Sequence, residues 1–379
     1  MNRQLAIQKW IDQYGIEQLE QQLGILVKQK DDLILLKYNQ IESDKSKHEV
    51  QECRGLILSL PDLHIVNYVF KKFFNLGEGP ADKIDWNDAI VYKKWDGSLI
   101  NIWFWNGEWR MSTSGVIDGT VEIEPCLTFN KLLHQTIKKV YGKTWQEFTQ
   151  DFDKDCCYAF ELCTPYNIVV TQHQTWHLPI IGIRNRLSLQ EIAPENSEIN
   201  WLHICESFPL SDLESIQQTF QTLDWQNEGY IVRSKKLYND RFLRIKIKNP
   251  KYVAVHHLKG GLGLHHAMQV VKDNEIDEFL IYFAERSDEI LHLQREWKSL
   301  KSLLLFQWQI LLNSGQGYDT MKAYALDVQA KIDKKWQGLM YKLKQNPNID
   351  ISDWMCEHID NKWIYTEFIK SFHSKSLTN

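Results

Sequence analysis

Residues 89–113 read AIVYKKWDGSLINIWFWNGEWRMST and contain the two signals that decide the fold. The first is Asn106-Gly107, which separates two β-prone runs. Both central positions of a type I′ turn need a positive φ, so this dipeptide predicts a tight β-hairpin. The second is Lys94-Trp95-Asp96-Gly97, which lies between a predicted strand over residues 90–94 and the first arm of the hairpin. A turn there would project the lysine into a cleft between strands.

Shorter β-prone runs continue the pattern on both sides of this segment. They are residues 33–38, 55–60, 157–161, 180–184, 229–233 and 242–248. Near the N-terminus, the apolar residues of 3–28 recur at helical spacing and predict a helix. The polar stretch over residues 41–52 predicts a loop. Up to about residue 255 the chain is therefore predicted to mix helices and strands.

The character of the sequence changes near residue 255. Eight of the nine prolines lie at or before Pro250. Beyond it, apolar residues recur at helical spacing in four stretches, which are residues 276–283, 290–312, 321–343 and 363–372. This pattern predicts an α+β fold, with a β-rich domain over residues 1–255 followed by an all-helical domain over 256–379.

Composition and charge exclude several classes of protein. With 43% hydrophobic and 25% charged residues, the chain of 379 residues is typical of soluble globular proteins. We find neither an apolar run of membrane-spanning length nor a signal peptide, so a cytoplasmic location is expected. The net charge of -5 argues against a generally basic nucleic-acid binder. Residues 233–251 nevertheless carry eight basic side chains against one acid, which indicates either a solvated face or a polyanion site.

The usual metal and nucleotide motifs are missing from the sequence. Seven cysteines without a C-x-x-C pair argue against a thiolate zinc site, so we interpret them as small buried hydrophobes. His256-His257 and His265-His266 have no carboxylate at a recognisable spacing, and a structural role is favoured. Neither a P-loop nor a G-x-G-x-x-G pattern occurs, so the glycines of residues 260–263 are expected to shape the junction between the domains.

Four short motifs, taken together, resemble those of the covalent nucleotidyltransferases, the group of RNA ligases, DNA ligases and capping enzymes. Lys94-Trp95-Asp96-Gly97 matches their motif I, and Phe160-Glu161-Leu162 resembles motif III. Residues 228–232, EGYIV, resemble motif IV, and residues 244–248, RIKIK, resemble motif V. Each motif is weak alone, but all four occur in the family's order.

Other segments narrow the resemblance to RNA ligase 1 of T-even phages. Residues 52–56 (ECRGL), residues 71–78 (KKFFNLGE), Ser98 and Pro165-Tyr166-Asn167 are similar to that family. The resemblance implies an antiparallel-sheet adenylyltransferase domain and a helical C-terminal domain that selects RNA or tRNA.

The sequence departs from the phage family at two positions. The phage enzymes have a segment like S-T-K-G-S where residues 112–116 here read STSGV, and this chain has Ile168 where they carry an arginine.

The resemblance also implies roles for residues in a three-step reaction. Lys94 would attack the α-phosphate of ATP, the AMP would pass to an RNA 5′-phosphate, and a 3′-hydroxyl would displace AMP. Lys246 and Lys248, two apart on one predicted strand, point the same way and would contact the α-phosphate. The alternative for these two lysines is ordinary solubility. A neutral lysine is the nucleophilic form, and nearby cations and partial burial favour it.

The remaining nucleotide-binding residues follow from the same resemblance. Arg54 and Lys72 would lie near the β- and γ-phosphates, with Lys71 as an alternative to Lys72. Asp96 and Gly97, the last two residues of motif I, would also bind the nucleotide. Two acids are candidate ligands of Mg²⁺: Glu228 binds the ion, and Glu161 either helps to bind it or contacts the ribose.

The sequence therefore predicts an ATP-dependent RNA ligase that uses ATP and Mg²⁺ to join RNA ends. Its RNA is expected to be a nicked tRNA, with a polynucleotide kinase-phosphatase as the working partner. One alternative is a DNA ligase or capping-type enzyme, although no OB-fold pattern follows motif V. Another is an inactive protein that only binds RNA ends, against which the intact Lys94, Glu161 and Glu228 argue. The helical region either selects the RNA or simply covers apolar surface.

Overall fold

The computed structural model describes residues 4–40, 42–258, 266–282, 284–313 and 320–376. The chain divides into two compact units, residues 1–256 and 257–379. The first unit combines mainly antiparallel sheets with short helices, and the described part of the second unit is helical. The predicted α+β class is therefore confirmed.

The strands all lie in the first unit of the described chain. They are β1 (Ile25–Lys30), β2 (Leu33–Tyr38), β3 (Arg54–Ser59), β4 (Ile65–Asn67), β5 (Phe74–Asn75), β6 (Ala89–Lys94), β7 (Ser98–Trp105), β8 (Glu108–Thr113), β9 (Glu122–Glu124), β10 (Leu127–Thr128), β11 (Cys156–Leu162), β12 (Ile180–Asn185), β13 (Glu191–Ile192), β14 (Ser207–Phe208), β15 (Gly229–Tyr238) and β16 (Arg241–Lys248).

The α-helices of the described residues are distributed over both units. They are α1 (Ala6–Tyr14), α2 (Leu19–Leu23), α3 (His48–Glu52), α4 (Phe129–Tyr141), α5 (Trp145–Thr149), α6 (Leu213–Thr222), α7 (Pro250–Leu258), α8 (His266–Lys272), α9 (Ile276–Tyr282), α10 (Ser287–Asn313), α11 (Met321–Lys331), α12 (Gln337–Gln345), α13 (Ile351–His358) and α14 (Asn361–Ser376).

Three sheets build the first unit. The N-terminal sheet has the order β1-β2-β3-β4, the second sheet has the order β13-β12-β11-β7-β8, and the third has the order β14-β6-β15-β16-β5. A two-stranded ribbon of β9 and β10 accompanies them. Residues 95–97 carry the chain from β6 in the third sheet to β7 in the second. The motif that begins with Lys94 therefore spans the crossing between two sheets.

The predicted hairpin is confirmed. Asn106 and Gly107 both have positive φ, 49° and 86°, and Trp105 pairs with Glu108 across the turn. In the same sheet Ile100, Ile102 and Phe160 are fully buried, in one cluster with side chains of α4 and α5. Alternate residues of β7 and β11 thus anchor the second sheet in its core.

A buried ion-pair network positions β16 against the second sheet. Glu191 on β13 accepts hydrogen bonds from Arg184 of β12 and pairs with Arg244 of β16, at 2.5 and 2.6 Å. The three side chains are almost completely buried, so each charge depends on its partner. Because Arg244 belongs to the RIKIK stretch, the network fixes the strand that carries Lys246 and Lys248.

Two helix predictions are wrong in their extent. The helix predicted over residues 3–28 is interrupted at Gly15, which has a φ of 87°, and its second part, α2, ends at Gly24 with a φ of 64°. The next residues form β1 by pairing with β2. The helix predicted over 321–343 is broken at Ile332, whose backbone is extended, and resumes as α12. In both cases cross-strand pairing or a local chain reversal outweighs a continuous apolar spacing.

Some elements were not predicted, and some predictions lie outside the described residues. The predicted loop over 41–52 contains α3, and no helix was predicted over α4, α6 or α13, although Leu132, Leu133 and Ile137 of α4 recur at helical spacing and are buried. Phe283, His265 and the glycines of residues 260–263 lie outside the described residues. Cys53, Cys156, Cys157 and Cys163 are buried, as expected of small apolar side chains, whereas Cys205 and Cys356 are half-buried and the prediction is wrong for the exposed Cys126. No helix in the described part of the chain has both the length and the apolar character needed to cross a membrane.

Candidate active site

The third sheet brings Lys94 and Lys248 to either side of a glycine. Gly229 on β15 pairs with Lys94 of β6 on one side and with Lys248 of β16 on the other. Glu228 immediately precedes this glycine. One oxygen of its carboxylate, Oε1, lies 2.6 Å from Lys94 Nζ and 3.7 Å from Lys248 Nζ. The Glu228 side chain is only 5% exposed, so the two lysines share a buried carboxylate.

Glycine is required at position 229 because the backbone is crowded and has a positive φ. The φ is 133°, and a Cβ there would lie 2.3 Å from the carbonyl oxygen of Ile247. The preceding loop is held by Asn249, whose backbone N–H donates to Glu228 O at 2.9 Å. The buried Asn249 amide also donates to the carbonyls of Asp224 and Asn227, at 2.7 and 3.0 Å. These contacts hold the backbone of Glu228 in place and thereby position its carboxylate.

Asp96 and Gly97 hold the turn that follows Lys94. The buried Asp96 carboxylate accepts hydrogen bonds from the backbone N–H groups of Val170 and Thr171 and from the hydroxyl of Tyr252 on α7. A Cβ on Gly97 would lie 2.5 Å from Leu162 O, so only glycine allows this close approach. The sequence predicts nucleotide binding for both residues, and in the structure their contacts hold the turn that follows Lys94.

Lys93 and Lys94 project to opposite faces of β6, as neighbouring residues of a strand do. Lys93 Nζ lies 4.0 Å from the ring centroid of Trp95, and that ring lies 4.7 Å from the ring of His177. Of the two adjacent lysines, Lys94 is therefore the one that reaches Glu228.

Glu161 approaches the site from the second sheet, on β11. Burial raises the pKa of its carboxyl to about 7; Lys94 and Arg54 oppose this rise, and Glu228 adds to it. The end of β11 is held by the amide of Asn167, which donates to Leu162 O at 2.6 Å and to Ser98 Oγ at 3.3 Å. Ser98 and Asn167 both belong to segments that are similar to the phage family. A hydrogen bond joins them at the end of β11, next to Glu161.

A cluster of cations completes the site. Arg54 begins β3, Lys72 precedes β5, and Lys246 lies on β16. The Arg54 guanidinium and Lys246 Nζ lie 5.4 and 5.2 Å from the centroid of the Phe73 ring, and Lys72 Nζ lies 4.7 Å from that of Phe74. Burial and the neighbouring charges, first Arg54 and then Lys72, lower the pKa of Lys246 well below its usual value.

This basic cluster, defined as Arg54, Lys72, Lys246 and Lys248, is short of negative charge. Within the described residues neither Arg54 nor Lys246 forms an ion pair with a carboxylate. Half-buried cations without acidic partners are costly unless an anion binds them. The arrangement is therefore suited to a polyanion, and phosphate oxygens match guanidinium and ammonium donors.

The structure thus brings together Lys94, Glu161, Glu228 and the basic cluster, all of which the sequence singled out. Sequence reasoning missed Asn249, Tyr252 and the backbone of residues 170–171, which position these groups. No local pattern marks them, since each acts on a residue more than 20 positions away or through main-chain atoms.

Comparisons with known proteins identify the family of this chain. A family model described as RNA ligase matches residues 52–252, more than half of the chain. A protein of Autographa californica nuclear polyhedrosis virus, named as a bifunctional polynucleotide kinase/RNA ligase, is 26% identical over 303 residues. That match covers 74% of this chain but 42% of the viral protein, so the chain spans about two fifths of that relative.

Two further similarities are more distant. The RNA ligase of Rhodothermus phage RM378 is 21% identical over 351 residues, which cover 76% of this chain and 78% of the phage protein. Among solved structures, an archaeal ATP-dependent RNA ligase matches with a TM-score of 0.44 and 13% identity, over 76% of this chain and 79% of that one.

The raised pKa of Glu161 predicts a pH-dependent cost of folding. The unfolded carboxyl titrates near 4.5 and the folded one near 7, so the folded state binds more protons between these values. The contribution of Glu161 to stability is thus present below pH 4.5 and is lost as the pH rises to 7. Glu161→Gln mimics the protonated acid, and its thermal midpoint should increasingly exceed that of the wild type as the pH rises from 5 to 8.

The matched control is the exposed Glu198→Gln, whose midpoint should follow that of the wild type at every pH. A constant difference between Glu161→Gln and the wild type over this range would contradict the assignment.

Proposed function

Because this chain belongs to the RNA ligase family of the T4 RNA ligase 1 type, we propose that it is an ATP-dependent RNA ligase that works through lysyl-AMP on Lys94. The observation that carries the proposal is the carboxylate of Glu228 shared between Lys94 and Lys248, beside Arg54 and Lys246, which have no acidic partner in the part of the chain that the structure describes. This arrangement places one candidate nucleophile, one carboxylate and an anion site together.

In the first step Lys94 Nζ forms a bond to the α-phosphorus of ATP while the bond to pyrophosphate breaks. The ammonium must first lose a proton, and Glu228 Oε1, at 2.6 Å, is the acceptor in contact with it. Lys246 and Lys248 offset the charge that develops on the phosphoryl oxygens. Lys248 also shares Glu228, so it holds the carboxylate in place.

The two following steps are also displacements at phosphorus, at the AMP phosphorus in the second step and at the RNA 5′-phosphate in the third. An oxygen of the RNA 5′-phosphate attacks the AMP phosphorus, and the Lys94 nitrogen leaves and regains a proton. The RNA 3′-hydroxyl then attacks the adenylated 5′-phosphate, its proton is lost, and AMP departs. Each step concentrates negative charge at one phosphoryl group, so the basic cluster serves all three.

Glu228 and Glu161 fit the demands of Mg²⁺. Mg²⁺ is held in nucleotide enzymes by one or two carboxylates together with substrate phosphates. Glu161 has a raised pKa partly because Glu228 lies nearby, and a cation between them would favour its ionised form. When bound, the ion would neutralise charge on the phosphates. A contact of Glu161 with the ribose is the alternative role.

Other reaction classes are distinguished by the acceptor and the nucleotide. A DNA ligase or capping-type enzyme would share Lys94 and the basic cluster but would prefer DNA ends or GTP. An inactive protein that binds RNA ends would not need a carboxylate on the lysine. Incubation with labelled ATP or GTP, followed by sealing assays on RNA and DNA nicks, separates these possibilities.

The central prediction concerns Lys94. Lys94→Ala should abolish the covalent protein–AMP band on denaturing electrophoresis, since no other nitrogen is placed against Glu228 on this strand. Lys93→Ala is the matched control, because its side chain lies on the opposite face against Trp95 and labelling should persist. Labelling of Lys94→Ala, or its loss in Lys93→Ala, would show that the nucleophile is misassigned.

A second prediction concerns the two lysines of β16. Lys246→Ala and Lys248→Ala should each slow lysyl-AMP formation on the order of a hundredfold, as loss of one charge-stabilising donor does. The exposed Lys235→Ala and Lys236→Ala, on the neighbouring β15, should change the rate little. Similar losses in all four variants would indicate a diffuse electrostatic effect in place of a defined site.

The helical unit is proposed to select the RNA, for which a nicked tRNA healed by a kinase-phosphatase is the expected substrate. It contributes none of the residues assigned to the chemistry. It does present exposed Lys298, Lys331, Lys334 and Lys335. Structured RNA is recognised largely through shape and phosphate contacts, which such lysines suit.

A truncated chain that ends at residue 258 tests this role. It keeps α7, because the hydroxyl of Tyr252 holds Asp96 at 2.8 Å. The truncated protein should still form lysyl-AMP and join short single strands but should lose its preference for a nicked stem-loop over a linear oligonucleotide. If the preference survives truncation, the selecting surface lies in the first unit.

A further inference from the structure

Lys37 borders the basic cluster from a neighbouring strand. It lies on β2 and pairs with Arg54, the first residue of β3, at a point where the register of the two strands shifts. Such a shift places an extra residue on one of the two strands. Arg54 in turn shares the ring of Phe73 with Lys246. Lys37 is therefore a cross-strand neighbour of Arg54, which is itself a neighbour of Lys246.

The ammonium of Lys37 reaches the turn that follows β8. A Cβ placed on Gly115 would lie 3.3 Å from Lys37 Nζ. The same turn packs on the start of β3, since a Cβ on Gly55 would lie 2.9 Å from the Cα of Ser114. Gly55 also has a positive φ of 79°, so this close packing depends on glycine. Lys37 Nζ and Ser114 thus occupy one location beside Arg54.

The ammonium of Lys37 is able to bind an anion. The side chain is half-buried, and its ammonium makes no hydrogen bond or ion pair within the described residues. Lys37 pairs with Arg54 across the strands, and phosphate oxygens match both ammonium and guanidinium donors.

We propose that Lys37 binds a substrate phosphate beside Arg54. The inference rests on the proposed ligase function, in which both ATP and the RNA end bring phosphate groups. The hydroxyl of Ser114 is short and neutral, whereas Lys37 delivers an ammonium to the same turn from β2.

The test uses the full-length chain with Lys37→Met, which keeps the apolar stem and removes the charge. Two reactions are measured separately: lysyl-AMP formation from ATP without RNA, and sealing of pre-adenylylated RNA without ATP. At least one should fall roughly ten- to a hundredfold, as expected for a lost charged hydrogen bond. A loss in the first assigns the phosphate to ATP, and a loss in the second assigns it to RNA. Lys37→Arg should retain most of the rate.

Stability provides the internal control. Lys37→Met should not lower the thermal midpoint, because it removes a like-charge pair, so a loss of activity would not reflect unfolding. Lys28→Met, at an exposed position of the same sheet, should leave both reactions unchanged.

The double variant Lys37→Met/Ser114→Lys tests whether a positive charge is needed at this turn. It should recover much of the rate that Lys37→Met loses, since an ammonium returns to the same turn from the other strand. Absence of recovery would contradict the assignment of the phosphate to this turn. Unchanged rates in Lys37→Met, in a wild type that forms lysyl-AMP and seals RNA, would overturn the whole inference. A wild type that never forms lysyl-AMP would instead overturn the proposed ligase function itself.

Discussion

The candidate site depends on one interaction, the carboxylate of Glu228 held between Lys94 and Lys248. It requires three adjacent strands in one register, a glycine at position 229 that no other residue can replace, and a loop tied down by Asn249. Each requirement is local in space but distant in sequence. A shift of one residue in either strand pair would turn a lysine to the opposite face and separate it from the carboxylate.

The crossing between two sheets explains why the chemistry lies where it does. β6 belongs to one sheet and β7 to the next, and the turn between them is held by Asp96 and by the close approach of Gly97 to Leu162. This brings Glu161 of the second sheet towards Lys94 of the third. The ion pairs of Glu191 with Arg184 and Arg244 hold the same two sheets together at another point.

The candidate site contains charged groups that are unfavourable in the free protein. Arg54 and Lys246 face a shared aromatic ring without an acidic partner among the described residues, and the ionised form of Glu161 is disfavoured by burial. Such groups lower stability in the free protein, and a phosphate-bearing ligand with its cation would offset the cost. Charges that are locally unfavourable in the free protein therefore mark the proposed ligand site.

The sequence by itself determined the α+β class, the hairpin at Asn106-Gly107 and the set of residues that carry the candidate chemistry. These are local signals: a dipeptide that tolerates positive φ, alternating apolar residues, and short motifs that keep their order. What only the tertiary structure decided is how those residues are used. Asp96, read as part of nucleotide binding, proves to be enclosed by Val170, Thr171 and Tyr252. The physical reason is that hydrogen bonds, burial and charge coupling depend on distance in space. Strand register and sheet order set that distance, and local sequence does not encode it.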